Sequence, residues 1–462
     1  MTGAAHLTDN KEPEDSSPVA AAETVDNPAY IDTTQRYIKR VKKLIWLYFW
    51  LLLFEGALRK WVAPALANPI LLIRDPIVLG IYYNAYRAGR LPRNAFVIFG
   101  TGLAWISLVA GLMVLVQAPL VPIYGFRADF LHLFLIFVMP LYFDAQDVRN
   151  MGRLLLLLAI PMALLMIVQF KSPSASWINS GSDESFTQIG TARGHIRSPG
   201  TFSFISGPIC FYALCAAFLL EGLSKPRQYP RWLVLAASLA VGLGTMVSGS
   251  RSTLLAVVIV LVCALLNGVI LQPRLMFRTV QSILLLCIVG GILAQIPDVG
   301  EGLATLNERF SGRDVTEGGF VTRIVEGLSI KPQAIYEVPL LGYGLGVGTN
   351  VGAVLNTGVR NGFAYGENEW DRVISEGGPV LGLLFILLRC LIALYLCFQA
   401  VREARKGNEL PLLIFSASCL MILNGQWGQA TSQGFAAFGG GLCLASMRSN
   451  EDTVDAGRRQ AI

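Results

Sequence analysis

The sequence predicts an all-α fold: a polytopic transmembrane bundle of about 12 helices with a large loop on the side away from the cytoplasm. Composition is the first reason. Of 462 residues, 53% are hydrophobic and 15% are charged, where a soluble domain carries about 25% charged residues. Mean hydropathy is +0.54. The second reason is length, because apolar stretches recur at the roughly 20 residues that a helix needs to cross about 30 Å of hydrocarbon. The third is the placement of basic clusters, which fall in alternate gaps between those stretches.

Residues 1–43 read as a disordered cytoplasmic tail, polar and acidic at first, with no cleavable leader ahead of the first apolar run. The tail ends in a basic block, Arg36, Lys39, Arg40, Lys42 and Lys43, which holds that end in the cytoplasm. Spans are expected over 44–62, 69–87, 95–117, 128–144, 152–170, 203–221, 231–249, 252–271 and 276–296, with an outer loop at 171–202. A large periplasmic loop covers 297–376. Three more spans follow over 377–401, 410–426 and 430–447, and 448–462 is a second cytoplasmic tail. With the N-terminus inside, Arg87, Arg90, Arg93, Arg149, Arg153, Lys225, Arg227, Arg231, Arg274, Arg278, Arg402, Arg405 and Lys406 all fall on the cytoplasmic side, as the positive-inside rule requires. Within the large loop, Val321 to Tyr336 has the pattern of an amphipathic segment lying on the membrane.

The same composition excludes other classes. Net charge is +6, but the basic residues are scattered in short clusters without interleaved aromatics, which argues against nucleic-acid binding. The eight cysteines all sit within apolar stretches and show no metal-ligand spacing, so neither a metal site nor a disulfide framework is expected; no cofactor is expected either.

Charges at membrane depth are expensive and draw attention to Glu55, Arg59 and Lys60 on the first span and to Arg74 with Asp75 on the second. Glu55 and Arg59 are spaced to pair on one helix face. These groups either neutralise one another to hold two helices together or face a substrate. In the first outer loop, Arg193, His195 and Arg197 precede a span, and the arginine fork matches phosphate oxygens. Arg251, after Ser248-Gly249-Ser250, sits at the head of another span, where it can snorkel. Arg323 lies on the amphipathic segment. The run Gly342, Gly344, Gly346 and Gly348 lacks the ending of a nucleotide loop and reads as a turn permitting close backbone approach. Beyond it lies a dense polar patch in which Glu367, Asp371 and Glu376 are candidate general bases, or acids that cap a helix N-terminus.

Taken in order, Ser250-Arg251, Arg323, Pro339-Leu340-Leu341-Gly342-Tyr343-Gly344, Glu367-Asn368 and Glu376-Gly377-Gly378-Pro379 resemble the O-antigen polymerase and O-antigen ligase superfamily. The likeness covers about residues 95 to 445. The N-terminal Glu55-Gly56 to Trp61 and Arg74-Asp75-Pro76 resemble an exopolysaccharide-associated branch. The resemblance implies metal-independent, inverting glycosyl transfer from undecaprenyl-diphosphate-linked oligosaccharide, at the outer face of a bacterial inner membrane with both termini cytoplasmic. It assigns diphosphate contacts to Arg193, Arg197, Arg251 and Arg323, and acceptor positioning or base chemistry to Glu367 and Asn368. The ligases carry histidine where this chain has Glu367. As partners it implies the lipid-linked glycan, the bilayer, and other polysaccharide assembly and export proteins. A ligase-type transferase and a flippase are the alternatives. The lack of a visible inverted repeat and the long outer loop favour an enzyme over a flippase.

Overall fold

The computed structural model describes residues 28–114, 118–181, 195–271, 335–357 and 368–448, with scattered positions between 277 and 330. Arg193, Arg323, Glu367, the expected tail before Pro28 and most of the amphipathic segment lie outside the described residues. Among those residues every regular element is helical. Seven helices are long and apolar enough to cross a membrane.

Helix α1, Pro28–Ala57, begins upstream of the expected start at 44 and ends in a π turn, Leu58–Val62. Basic residues in its first half and Glu55, Arg59 and Lys60 near its end make it too charged to count among the seven. Then come α2, Arg74–Arg87, and α3, Ala95–Met113, whose N-cap Asn94 accepts the Val97 amide at 2.9 Å. Helix α4, Leu120–Leu141, is interrupted by a π turn at Arg127–Leu131. Helix α5, Ala145–Lys171, opens on a reciprocal capping box between Asp144 and Asp147, which satisfies amides that a helix start leaves open. Helices α6, Ser206–Ser224, α7, Arg231–Val247, and α8, Arg251–Leu266, follow. The apolar windows of α6 and α4 are 83% and 72% buried, so these two helices form the centre of the bundle. Helix α6 packs against α5, α7 and α8 and against two C-terminal helices, α11, Leu410–Asn424, and α12, Ala430–Ala445.

Between them lie α9, Asn350–Thr357, and α10, Glu369–Arg405. Helix α10 is not straight. Gly378 has φ 75° and ψ 173°, outside helical geometry. Glu369 and Arg389 make a 2.8 Å ion pair although they are 20 residues apart, a separation of about 30 Å along a straight helix. The short arm, 369–377, therefore folds back along the long arm, 379–405, and re-enters the bundle. This corrects the expectation that residues up to 376 belong to an outer loop and that a span simply begins at 377. A side chain fixes the reversal: Arg389 donates to the carbonyls of Ile422 at 2.9 Å and Gly425 at 2.9 Å, closing the C-terminus of the short helix α11. With the short turns that adjoin them, α2 and α8 complete spans Pro64–Arg87 and Arg251–Leu271, whereas α7, α11 and α12, with 17, 15 and 16 residues, fall short of the roughly 20 needed to span unaided.

The bundle has two ends. The near end carries residues 36–43 and 448 and is tied by Lys42 to Asp147 at 2.6 Å, by the Ala145 amide to the Arg448 carbonyl at 3.0 Å and by Asn408 to Ser446 at 3.0 Å. Here burial pushes the Glu409 carboxyl above its ordinary value; Lys225, 3.9 Å away, pulls it back, and Glu221 adds to the rise. The far end carries the π turn 58–62 and the segments 172–181, 195–205, 248–250, 339–357 and 425–429.

Candidate functional site

The far end is built by docking residues 195–203 onto the last turns of α1. Gly56 makes this contact possible, because a Cβ there would stand 2.4 Å from the Ser203 amide nitrogen and 2.5 Å from the Thr201 carbonyl oxygen. Three polar links hold the contact. Thr201 donates to the Leu53 carbonyl at 2.7 Å, Arg59 to Ser203 Oγ at 3.2 Å, and Lys60 to the Gly200 carbonyl at 2.8 Å. Two sequence-distant segments thereby bring Arg197 to the end of the bundle that holds Arg59 and Lys60. His195 stacks on Phe170 with centroids 4.2 Å apart, bonds the Phe170 carbonyl through Nδ1 at 2.9 Å, and sets Nε2 3.1 Å from Glu301. Arg251 opens α8 at the same end, half-buried behind Ser250.

Beneath this rim, two charge networks lie on either side of the π turn of α4. In the first, Arg74 meets Glu55 at 2.7 Å and the Ala430 carbonyl at 2.6 Å, while Arg59 stands 3.9 Å from the same Glu55. The dominant partner of Glu55 is thus on α2, and the expected pair along one helix face is the looser contact. Asp75 takes Arg127 at 2.8 Å and His132 Nε2 at 3.0 Å, and His132 Nδ1 faces the Tyr48 hydroxyl at 2.8 Å. Of the five charges singled out on the first two spans, Glu55, Arg59, Arg74 and Asp75 belong to this helix-joining network, and Lys60 instead bonds the Gly200 carbonyl.

The second network holds the folded-back arm. Arg372 reaches Asp129 at 2.8 Å, Glu369 at 2.9 Å and Glu376 at 2.8 Å. Arg389 completes it through Glu369 and lies 4.2 Å over the Trp427 ring, a desolvated cation–π contact. Glu376 accepts the Gly346 amide at 2.9 Å, so the glycine run is threaded into the network. A Cβ on Gly346 would stand 2.5 Å from the Val121 carbonyl oxygen of α4, which is the close backbone approach expected of that run.

The expected site residues therefore separate. Arg197 and Arg251 lie at the far end. Asn368 caps the short arm, its side chain accepting from the Trp370 amide at 3.4 Å and donating to the Ser329 carbonyl at 2.8 Å. Glu376, held by Arg372 and the Gly346 amide, takes part in the network that fixes the arm, and Asp371 is buried on the same arm. Sequence reading missed Arg127, Asp129 and His132 on α4, and Glu369 and Arg389 on α10. The available signal was a cluster of ionisable residues inside apolar runs, the pattern that had already flagged Glu55 and Arg74.

No family model, characterised protein or solved structure matches this chain.

Proposed function

We propose that the chain is a glycosyltransferase of the bacterial inner membrane that polymerises repeat units carried on undecaprenyl diphosphate, in exopolysaccharide or O-antigen synthesis. In this reading the bundle crosses the bilayer about 12 times once its shorter helices are counted, the near end is cytoplasmic and the far end faces the periplasm. The observation that carries the reading is the gathering of Arg59, Lys60, Arg197 and Arg251 at the far end, from three separate parts of the sequence. Positive groups fixed there oppose the negative charge that grows on a diphosphate as it leaves, where preorganised charge lowers a barrier most. An acceptor hydroxyl attacks the anomeric carbon, the bond to the diphosphate breaks with inversion, and the hydroxyl proton passes to a base around Glu367 and Asn368.

Profiling lipid-linked glycans in a deletion strain tests the proposal. A polymerase leaves single repeats on the outer leaflet, whereas a ligase-type transferase leaves finished chains on the carrier. The buried ionisable networks favour one further reading, a flippase, since such groups also mark transport pathways. Repeats trapped on the inner leaflet would decide for it.

A further inference from the structure

The far end contains a buried cation unlike the others. Arg74, Arg127, Arg372 and Arg389 each meet a carboxylate within 3 Å. Lys60 is 2% exposed, yet no carboxylate lies within ion-pair distance of it among the described residues. An ammonium has three N–H donors; that of Lys60 gives one to the Gly200 carbonyl at 2.8 Å and otherwise lies 4.5 Å over the face of Trp61. Two neighbours share its lack of acceptors. The Trp61 indole Nε1 and the Ser198 hydroxyl, two residues before Gly200, are both buried and have no hydrogen-bond partner among the described residues. All three groups carry hydrogens to give, and among the described residues no buried acceptor matches the surplus.

A group made only of acceptor oxygens, bearing negative charge, would complete this set. The site also lies at the rim: Val62, two residues on, is 71% exposed, and the neighbouring Trp61 ring packs against Trp177 with centroids 5.9 Å apart, an aromatic pair of the kind found at headgroup level. We infer that Lys60, with Trp61 Nε1 and Ser198 Oγ, forms a site for a phosphate group borne on a lipid, reached when the turn at Gly200 moves aside. The inference rests on the proposed function only for which lipid this is. A polyprenyl diphosphate and a phosphatidylglycerol headgroup present the same oxygens.

The test uses the full chain in detergent, with farnesyl diphosphate as the probe and binding read by native mass spectrometry. The wild type is expected to bind it, Lys60→Gln to bind about tenfold more weakly or worse, and Lys60→Arg to stay within a few-fold of wild type, in keeping with the loss of one charge-assisted hydrogen bond. Trp61→Phe should give a smaller loss; should Lys60→Gln fail to fold, this variant and Lys60→Arg decide the matter. Equal binding by Lys60→Gln and wild type overturns the inference, as does wild-type chain that takes up neither farnesyl diphosphate nor dioleoylphosphatidylglycerol. Lys60-dependent binding of the phosphatidylglycerol alone supports the site with a membrane lipid as its occupant. The glycan profile of the deletion strain is a separate measurement, so a failed polymerase reading and a failed phosphate site give different results.

Discussion

The two buried networks share one π turn of α4 but differ in what they hold. Around Asp75 and Glu55, cations outnumber acids: Arg59, Arg74 and Arg127 answer two carboxylates, and the surplus is spread over the backbone carbonyls of Ala67, Leu71 and Ala430. Around Arg372 the balance is reversed, with Asp129, Glu369 and Glu376 against Arg372 and Arg389. The first network joins α1, α2, α4 and α12, helices that would pack through their apolar faces in any case. The second holds a nine-residue arm folded back against its own helix, where Val373 and Ile374 are buried but the other buried side chains, Glu369, Asp371, Arg372, Ser375 and Glu376, are polar and must be answered. The comparison teaches that ion pairs in this bundle matter most where the backbone departs from a straight span.

Breaking the second network should therefore cost most. Arg389→Met strips the buried Glu369 of one of its two arginine partners and takes from the carbonyls of Ile422 and Gly425 the bonds that Arg389 donates, and is expected to lower stability by about 3–5 kcal/mol. Chemical unfolding in detergent measures this, and a loss under about 1 kcal/mol would show that the arm is held by other means. Gly378→Ala comes next, at about 1–3 kcal/mol for a non-glycine residue forced into that region. Its Cβ would also stand 2.1 Å from the Leu340 carbonyl oxygen. Limited proteolysis should then cut near Asn368, and resistance equal to wild type would mean that the reversal does not need this glycine. In the first network, Tyr48→Phe removes only the hydroxyl facing His132 and is expected to cost about 1 kcal/mol. A cost as large as that of Arg389→Met would erase the distinction between the networks.

The smallest effect should lie outside both. Glu409 at the near end has its pKa raised by burial, so its neutral form is the one the fold prefers. That contribution is present below the ordinary carboxylate pKa and fades as pH rises through the folded value. Glu409→Gln should match wild type in thermal midpoint below about pH 4 and exceed it near pH 7. A variant less stable than wild type at neutral pH would reverse the sign.

Some of this was legible in the residues themselves. The seven long apolar helices follow from composition and run length, because in hydrocarbon every backbone amide must bond within its own segment. The ionisable positions within them were visible for the same reason, as with Glu55 and Arg74. The pairing of those charges was not visible, since Glu55 has Arg59 one turn away and Arg74 on another helix, and only packing selects the latter. The reversal at Gly378 was hidden for a different reason: Gly377-Gly378-Pro379 reads equally well as the start of a span or as a bend within one.

What the sequence determined alone was its solvent and its α-helical class, both set by the cost of exposing apolar side chains to water and unpaired amides to lipid. Tertiary structure decided which charges meet, that the stretch before Gly378 returns into the bundle, and that Lys60 is buried away from any described carboxylate. These depend on contacts between residues far apart in the chain, and a charge on one helix does not record which neighbour will be close enough to answer it.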